Sequence, residues 1–105
     1  MTFVVDQQET QWTIRCGEDA GVAFASELKS LLLEGLASGK ELQLNFEQAG
    51  EIDISVLQLL LAAEREAAQR GTRMVCRPTA AMVQTARDAG WERVPGDRDS
   101  EASVG

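Results

Sequence analysis

The residues best suited to chemistry are Asp53 and Ser55, a carboxylate and a hydroxyl two positions apart in Glu51-Ile52-Asp53-Ile54-Ser55-Val56-Leu57. A leucine- and alanine-rich helical run follows them, so both lie where a helix begins. Such a start exposes backbone N–H groups and the positive end of the helix dipole, which favour an acceptor oxygen or a phosphate. The pair therefore suits a phosphorylation switch at Ser55, whose unmodified hydroxyl also reads as a helix cap. Asp53 reads as a cap or a loop-stabilising acceptor. An aspartyl-phosphate site would need more acids around a divalent ion, and only Glu51 stands near.

Little else in the chain offers reactivity. It has no histidine and no tyrosine, which removes the commonest general base, the commonest metal ligand and any Ser-His-Asp or Cys-His arrangement. No Gly-rich phosphate loop is present. The expectation is a protein that is no enzyme and takes no cofactor and no metal. Cys16 and Cys76 lie in strand-like apolar segments without a CxxC pair, and read as reduced core thiols. A formal charge of −7 with no basic run gives no footprint for nucleic acid.

The elements that must position Asp53 and Ser55 can be read from periodicity. Phe3-Val4-Val5 and the alternating Trp12-Thr13-Ile14-Arg15-Cys16 predict a hairpin. Phe24, Leu28, Leu31, Leu32 and Leu36 recur at helical spacing over 22–37, and Gly39 supplies a stop. Leu42, Leu44 and Phe46 alternate with Gln43 and Asn45 as a strand, after which a polar loop runs through Gly50. The next helix spans 55–70, with Leu57, Leu60, Leu61, Glu64 and Ala68 on one stripe and Glu66, Gln69 and Arg70 outside, and Gly71 ends it. Its Leu59-Leu60-Leu61 run is wider than a stripe needs, so one leucine can face a partner.

Residues 72–77 predict a strand around Met74-Val75-Cys76. Pro78-Thr79 then gives a turn and a cap for a helix through Ala89, closed by Gly90, with a short last strand over 91–94. Trp12 and Trp91 read as packing residues. A single domain over 1–95 and a flexible tail over 96–105 follow from the 105-residue length and the scarcity of apolar residues at the end. No signal-like start or transmembrane-length run is present, so the expected place is the cytoplasm without membrane insertion. The order β-β-α-β-α-β-α-β predicts an α/β fold, a mixed sheet of four to five strands with about three main helices. Binding in such folds concentrates at the strand-to-helix loops, where Asp53 and Ser55 lie.

This order, together with Leu42-Gln43-Leu44-Asn45-Phe46, Ile52-Asp53-Ile54-Ser55-Val56-Leu57-Gln58-Leu59-Leu60 and Arg65-Glu66-Ala67-Ala68-Gln69-Arg70-Gly71, resembles the STAS domain of sulfate transporters and anti-sigma factor antagonists over residues 3–94. In that family a strand leads into an Asp-Ser-Ser-Gly-Leu-like motif and then a helix. The resemblance sets Asp53 and Leu57 at the motif's aspartate and leucine, and Ser55 at its second serine. Family antagonists are phosphorylated there by a serine kinase that is also the anti-sigma factor. Ile54 replaces the first serine, and Val56 replaces the glycine, adding bulk beside the acceptor. Many antagonists also end in a fourth helix, for which the residues after Val94 have no apolar stripe.

The resemblance implies a non-enzymatic protein–protein interaction module in a bacterial partner-switching pathway. Its partners would be a serine kinase/anti-sigma factor and a cognate phosphatase, met through Asp53, Ile54, Ser55, Val56 and Leu57. The alternative role it implies is a STAS accessory subunit of a lipid-transporting ABC complex, docked on the ATPase subunit without a phosphorylation cycle.

Overall fold

The computed structural model describes residues 3–17, 23–50 and 52–97. Val22 at the expected start of the first helix, Glu51, and residues 98–105 of the expected tail lie outside the described residues. The elements follow in the order β1 (Phe3–Gln7), β2 (Gln11–Cys16), α1 (Phe24–Ser38), β3 (Glu41–Asn45), α2 (Ile54–Gln69), β4 (Met74–Arg77) and α3 (Ala80–Asp88). β1 and β2 form the expected antiparallel hairpin, with Phe3 opposite Cys16 and Gln7 opposite Trp12. β2 pairs parallel with β3, and β3 parallel with β4. The result is a four-stranded mixed sheet in the order β1-β2-β3-β4. Parallel neighbours need long crossovers, which α1 and α2 supply.

Strict alternation in the strands puts one sheet face in the core and leaves the other to solvent. Ile14, Cys16, Leu42, Leu44, Met74 and Cys76 are buried, whereas Thr13, Arg15, Gln43, Asn45 and Val75, on the other side, are half-buried or exposed. The buried sides of α1 (Leu28, Leu32 and Leu36) and α3 (Met82 and Ala86) join the same core. Gly35 lets α1 ride low over the strands, because a Cβ there would clash with Leu42 Cδ2 and sit 3.1 Å from Trp12 Cδ1. That close approach outweighs the helix propensity lost by a mid-helix glycine.

Two elements differ from the sequence-based expectation. α2 starts at Ile54, and its buried side is Val56, Leu57, Leu60, Ala63 and Ala67, whereas Leu61 is half-buried and Ala68 exposed. A stripe anchored on Leu57 and Leu60 continues to Ala63 and Ala67 at helical spacing, and alanines there admit close neighbours. The expected last strand over 91–94 is absent. Trp91 instead donates its N–H to Ala86 C=O at 2.8 Å, closing the end of α3.

Among the described residues the free edge of β4 is met at Gly96 and Asp97, where Cys76 N–H donates to Gly96 C=O at 2.7 Å and a parallel bridge joins Cys76 to Asp97. Among the described residues, pairing on this edge is that one bridge. Gly96 and Asp97, expected to open the tail, are buried instead. Gly96 has φ 82°, and a Cβ on it would lie 3.0 Å from Met74 Cε, so this anchored turn calls for glycine.

Candidate functional site

The loop from β3 to α2 is pinned at both ends. Phe46 is fully buried and donates its N–H to Arg77 C=O at 2.9 Å. Asn45 Oδ1 accepts the Glu47 N–H at 2.9 Å, turning the chain off the sheet. Ile52, also buried, returns it to the core. Asp53 then adopts an extended backbone (φ −89°, ψ 173°) as the N-cap of α2.

Asp53 Oδ1 accepts the Ser55 N–H at 2.8 Å and the Ser55 hydroxyl as well. The cap is therefore Asp53, whose extended backbone and acceptor oxygen satisfy the role. Ser55 lies inside the first turn and donates, which corrects its reading as a capping acceptor. The Asp53 carboxyl is held below its ordinary pKa by the Ser55 hydroxyl and then by the Ser55 N–H, because both bonds favour the ionised form. With the hydroxyl proton turned to Asp53, the Oγ lone pairs remain available to an incoming group.

Of the five candidate partner-binding residues, the fold displays three. Asp53, Ile54 and Ser55 are exposed. Val56 is 5% exposed and Leu57 fully buried, so the helix step that follows Ser55 carries both side chains into the core. This also corrects the expectation that Val56 crowds the acceptor. Its bulk, in place of the family's glycine, is absorbed inside.

A groove between α1 and α2 opens at Ser55. Its mouth is lined by Ala25, Ser26, Lys29, Ser55 and Gln58, and its floor continues along Leu32, Leu36, Leu59, Ala62 and Ala63 to Glu66. Leu33, 56% exposed, stands on the rim. Within the leucine run, Leu60 is buried, Leu59 faces this groove, and Leu61 faces a separate cleft beside Glu64, Trp91 and Arg93. The groove is not legible in the sequence, because it depends on how two distant helices are set side by side. A faint signal existed in the small Ala25, Ala62 and Ala63 among leucines.

The remaining reactive side chains are structural. Glu64 accepts from Arg93 Nη1 at 3.1 Å, Arg93 Nη2 at 3.4 Å and the Gly96 N–H at 2.7 Å. A glutamate placed on an otherwise apolar stripe was the sequence signal for such a partner. Cys16 and Cys76 are buried free thiols on strands separated by β3. Burial pushes the Cys16 thiol up to about 12, and Cys76 is pushed up by burial and then by the Asp97 charge. Both are held as unreactive thiols. Among the described residues no group of three His, Cys, Asp or Glu could hold a metal ion, and no helix is long and apolar enough to cross a membrane.

This arrangement of hairpin, crossover helices and a capped serine after β3 is that of a STAS domain. The family model described as "Mlab, STAS domain" matches residues 3–96, and the chain belongs to the STAS family. Its fold is similar to that of the anti-sigma factor antagonist SpoIIAA in its unphosphorylated form, with a TM-score of 0.73 at 17% identity, covering 97% of this chain and 92% of that one. The Bacillus cell fate determinant SpoIIAA in the phosphorylated form matches with a TM-score of 0.70 at 18% identity, over 97% and 96% of the two chains. The protein TM1081, solved by NMR, matches with a TM-score of 0.72 at 15% identity, over 99% and 87%. Comparison with curated protein sequences gives no significant match.

Proposed function

We propose that the chain is a non-enzymatic protein–protein interaction module of the anti-sigma factor antagonist kind, acting in the bacterial cytoplasm within a partner-switching pathway, with Ser55 as its switch. The observation that carries this reading is the exposed Ser55 hydroxyl, held by Asp53 in the first turn of α2 at the mouth of the α1–α2 groove. The unmodified protein binds a serine kinase/anti-sigma factor through Asp53, Ile54, Ser55 and the adjoining groove. On that kinase, Ser55 Oγ bonds to the terminal phosphorus of ATP as the bond to the bridging oxygen breaks. ADP leaves, and the hydroxyl proton departs toward Asp53 Oδ1, which already accepts it. The phosphate weakens the contact by like charge, and a cognate phosphatase hydrolyses the ester to restore it. The likeness to SpoIIAA, solved with and without its phosphate, supports this reading.

The test is incubation with ATP and the serine kinase that co-purifies with the chain, followed by mass spectrometry. Phosphate on Ser55, and none on the Ser55→Ala variant, is expected. An unmodified Ser55 would remove the switch.

The second reading is docking on the ATPase subunit of a lipid-transporting ABC complex, a role the STAS family also fills. It is favoured by the match to the Mlab type of STAS domain and by Ile54 and Val56 in place of the serine and glycine of the phosphorylated motif. An ABC ATPase in place of a serine kinase on co-purification would select it.

A further inference from the structure

Ser55 and Lys29 stand on different helices yet line one recess, the mouth of the α1–α2 groove. Asp53 already holds the Ser55 hydroxyl, so a phosphate added at Oγ arrives against a carboxylate. The contact turns from a hydrogen bond into a repulsion, because the donated proton is gone and about −1.5 to −2 of charge has come. The phosphate is therefore driven away from Asp53, and Lys29 is the only basic side chain lining the recess among the described residues. Arg70, Arg73, Arg77 and Arg93 are each paired with a glutamate, whereas the exposed Lys29 ammonium has no ion-pair partner among the described residues. An ammonium on a flexible four-carbon stem binds phosphate as a point charge and needs no fixed geometry. The recess, about 430 Å³, has room for the group without displacing a side chain.

We propose, building on the reading of Ser55 as phosphoacceptor, that Lys29 is the receptor for the Ser55 phosphate, tying α2 to α1 across the groove. The phosphate–ammonium pair closes the mouth through which a partner reaches the apolar floor at Leu59 and Ala62. In the unmodified protein the same ammonium is free to meet an acidic group of the partner. Phosphorylation then does more than add repulsive charge. It withdraws Lys29 from the recess and covers the groove.

The test requires no partner. The full chain is made with phosphoserine installed at position 55, and the second ionisation of the phosphate is followed by phosphorus NMR in the wild type, Lys29→Gln and Lys29→Arg. Among the described residues, Asp53 faces the phosphate from the start of α2 and opposes its ionisation equally in all three, while Lys29 faces it from α1 and favours it. The expected result is ionisation roughly half a pH unit or more lower in the wild type and Lys29→Arg than in Lys29→Gln, with the gap narrowing as salt is raised.

Superimposable titrations of the wild type and Lys29→Gln would overturn the proposal. Lys29 is exposed, so matching thermal melts are expected across the three proteins. Because the phosphate is installed rather than enzymatic, this outcome is separate from the kinase experiment. Failure there removes the switch, whereas failure here removes only the role of Lys29.

Discussion

Two carboxylates on one helix hold their neighbours in opposite ways. Asp53 takes both its side-chain hydrogen bonds from Ser55, two residues away and exposed. Glu64 takes its bonds from Arg93 and Gly96, 29 and 32 residues further on, in a half-buried setting. The first pair shapes a helix end and leaves a hydroxyl on display. The second ties the C-terminal segment to α2, beside the separate bond from Cys76 N–H that joins Gly96 to β4. A local bond organises a surface that a partner can reach, whereas a long-range one spends the same chemistry on closing the fold.

The largest effect should come from breaking the long-range set. Glu64→Ala leaves the Gly96 N–H without its side-chain acceptor and removes the two bonds that Arg93 makes to Glu64, and is expected to cost about 2 kcal/mol, read by thermal or urea denaturation. Truncation after Val94 removes the Gly96 carbonyl from Cys76 N–H as well and should cost about 2 kcal/mol or more. A chain ending at Asp97 retains these bonds and is expected to melt above one ending at Val94. If the two melt together, the contrast between the two carboxylates fails, because the C-terminal bonds would then contribute nothing.

The same contrast explains what could be read from the sequence. The hairpin, the α1 stripe from Phe24 to Leu36, the Thr79 cap of α3 and the placing of Ser55 in the first turn of α2 all rest on neighbours within a turn or a strand, where residue type decides. Thr79 Oγ1 does accept the Met82 N–H, at 3.1 Å. The partner of Glu64, the loss of the strand over 91–94 and the groove beside Ser55 depend on residues some thirty positions apart. Nothing in Trp91-Glu92-Arg93-Val94 says that Arg93 will turn to α2 rather than pair with β4. Once it does, the segment is held off the sheet until Gly96. The burial of Val56 and Leu57 escapes the motif for a related reason. A motif marks a stretch of chain, but the 3.6-residue turn carries Val56 and Leu57 round to the buried side of α2 and leaves Ile54 and Ser55 outside.

A smaller effect is expected at Asp53. Asp53→Ala removes the cap from α2 and should cost about 1 kcal/mol. Its pH dependence has a fixed sign, because the folded-state carboxyl titrates below its ordinary value. The stabilisation is fully present above the unfolded value of roughly 3.9 and is lost as pH falls through the lower folded value. The stability difference between wild type and Asp53→Ala is thus expected to be constant from about pH 5 to 8 and to shrink in stronger acid. A difference that grows on acidification would mean that the ionised carboxylate is not the capping species.

The smallest change in stability, and the sharpest separation of fold from function, is expected for Ser55→Asp. Because Asp53 already caps α2, the new carboxylate sits inside the first turn, where the helix dipole favours it by about 0.3–1 kcal/mol. Against this, the hydroxyl bond to Asp53 is lost and two like charges stand two residues apart in the open, where screening keeps their repulsion modest. The terms oppose each other and are of similar size, so the melting temperature should stay close to that of the wild type. Binding is a different matter. A fixed charge at an exposed contact face, next to Asp53 and Ile54, is expected to weaken the partner complex about tenfold or more, while Ser55→Ala keeps wild-type affinity. Calorimetric titration of both variants with the co-purifying partner reads this directly. Equal affinity for wild type and Ser55→Asp, at unchanged stability, would mean that the displayed end of α2 is a constitutive docking surface with no switch in it, and would favour docking on an ATPase subunit over partner switching.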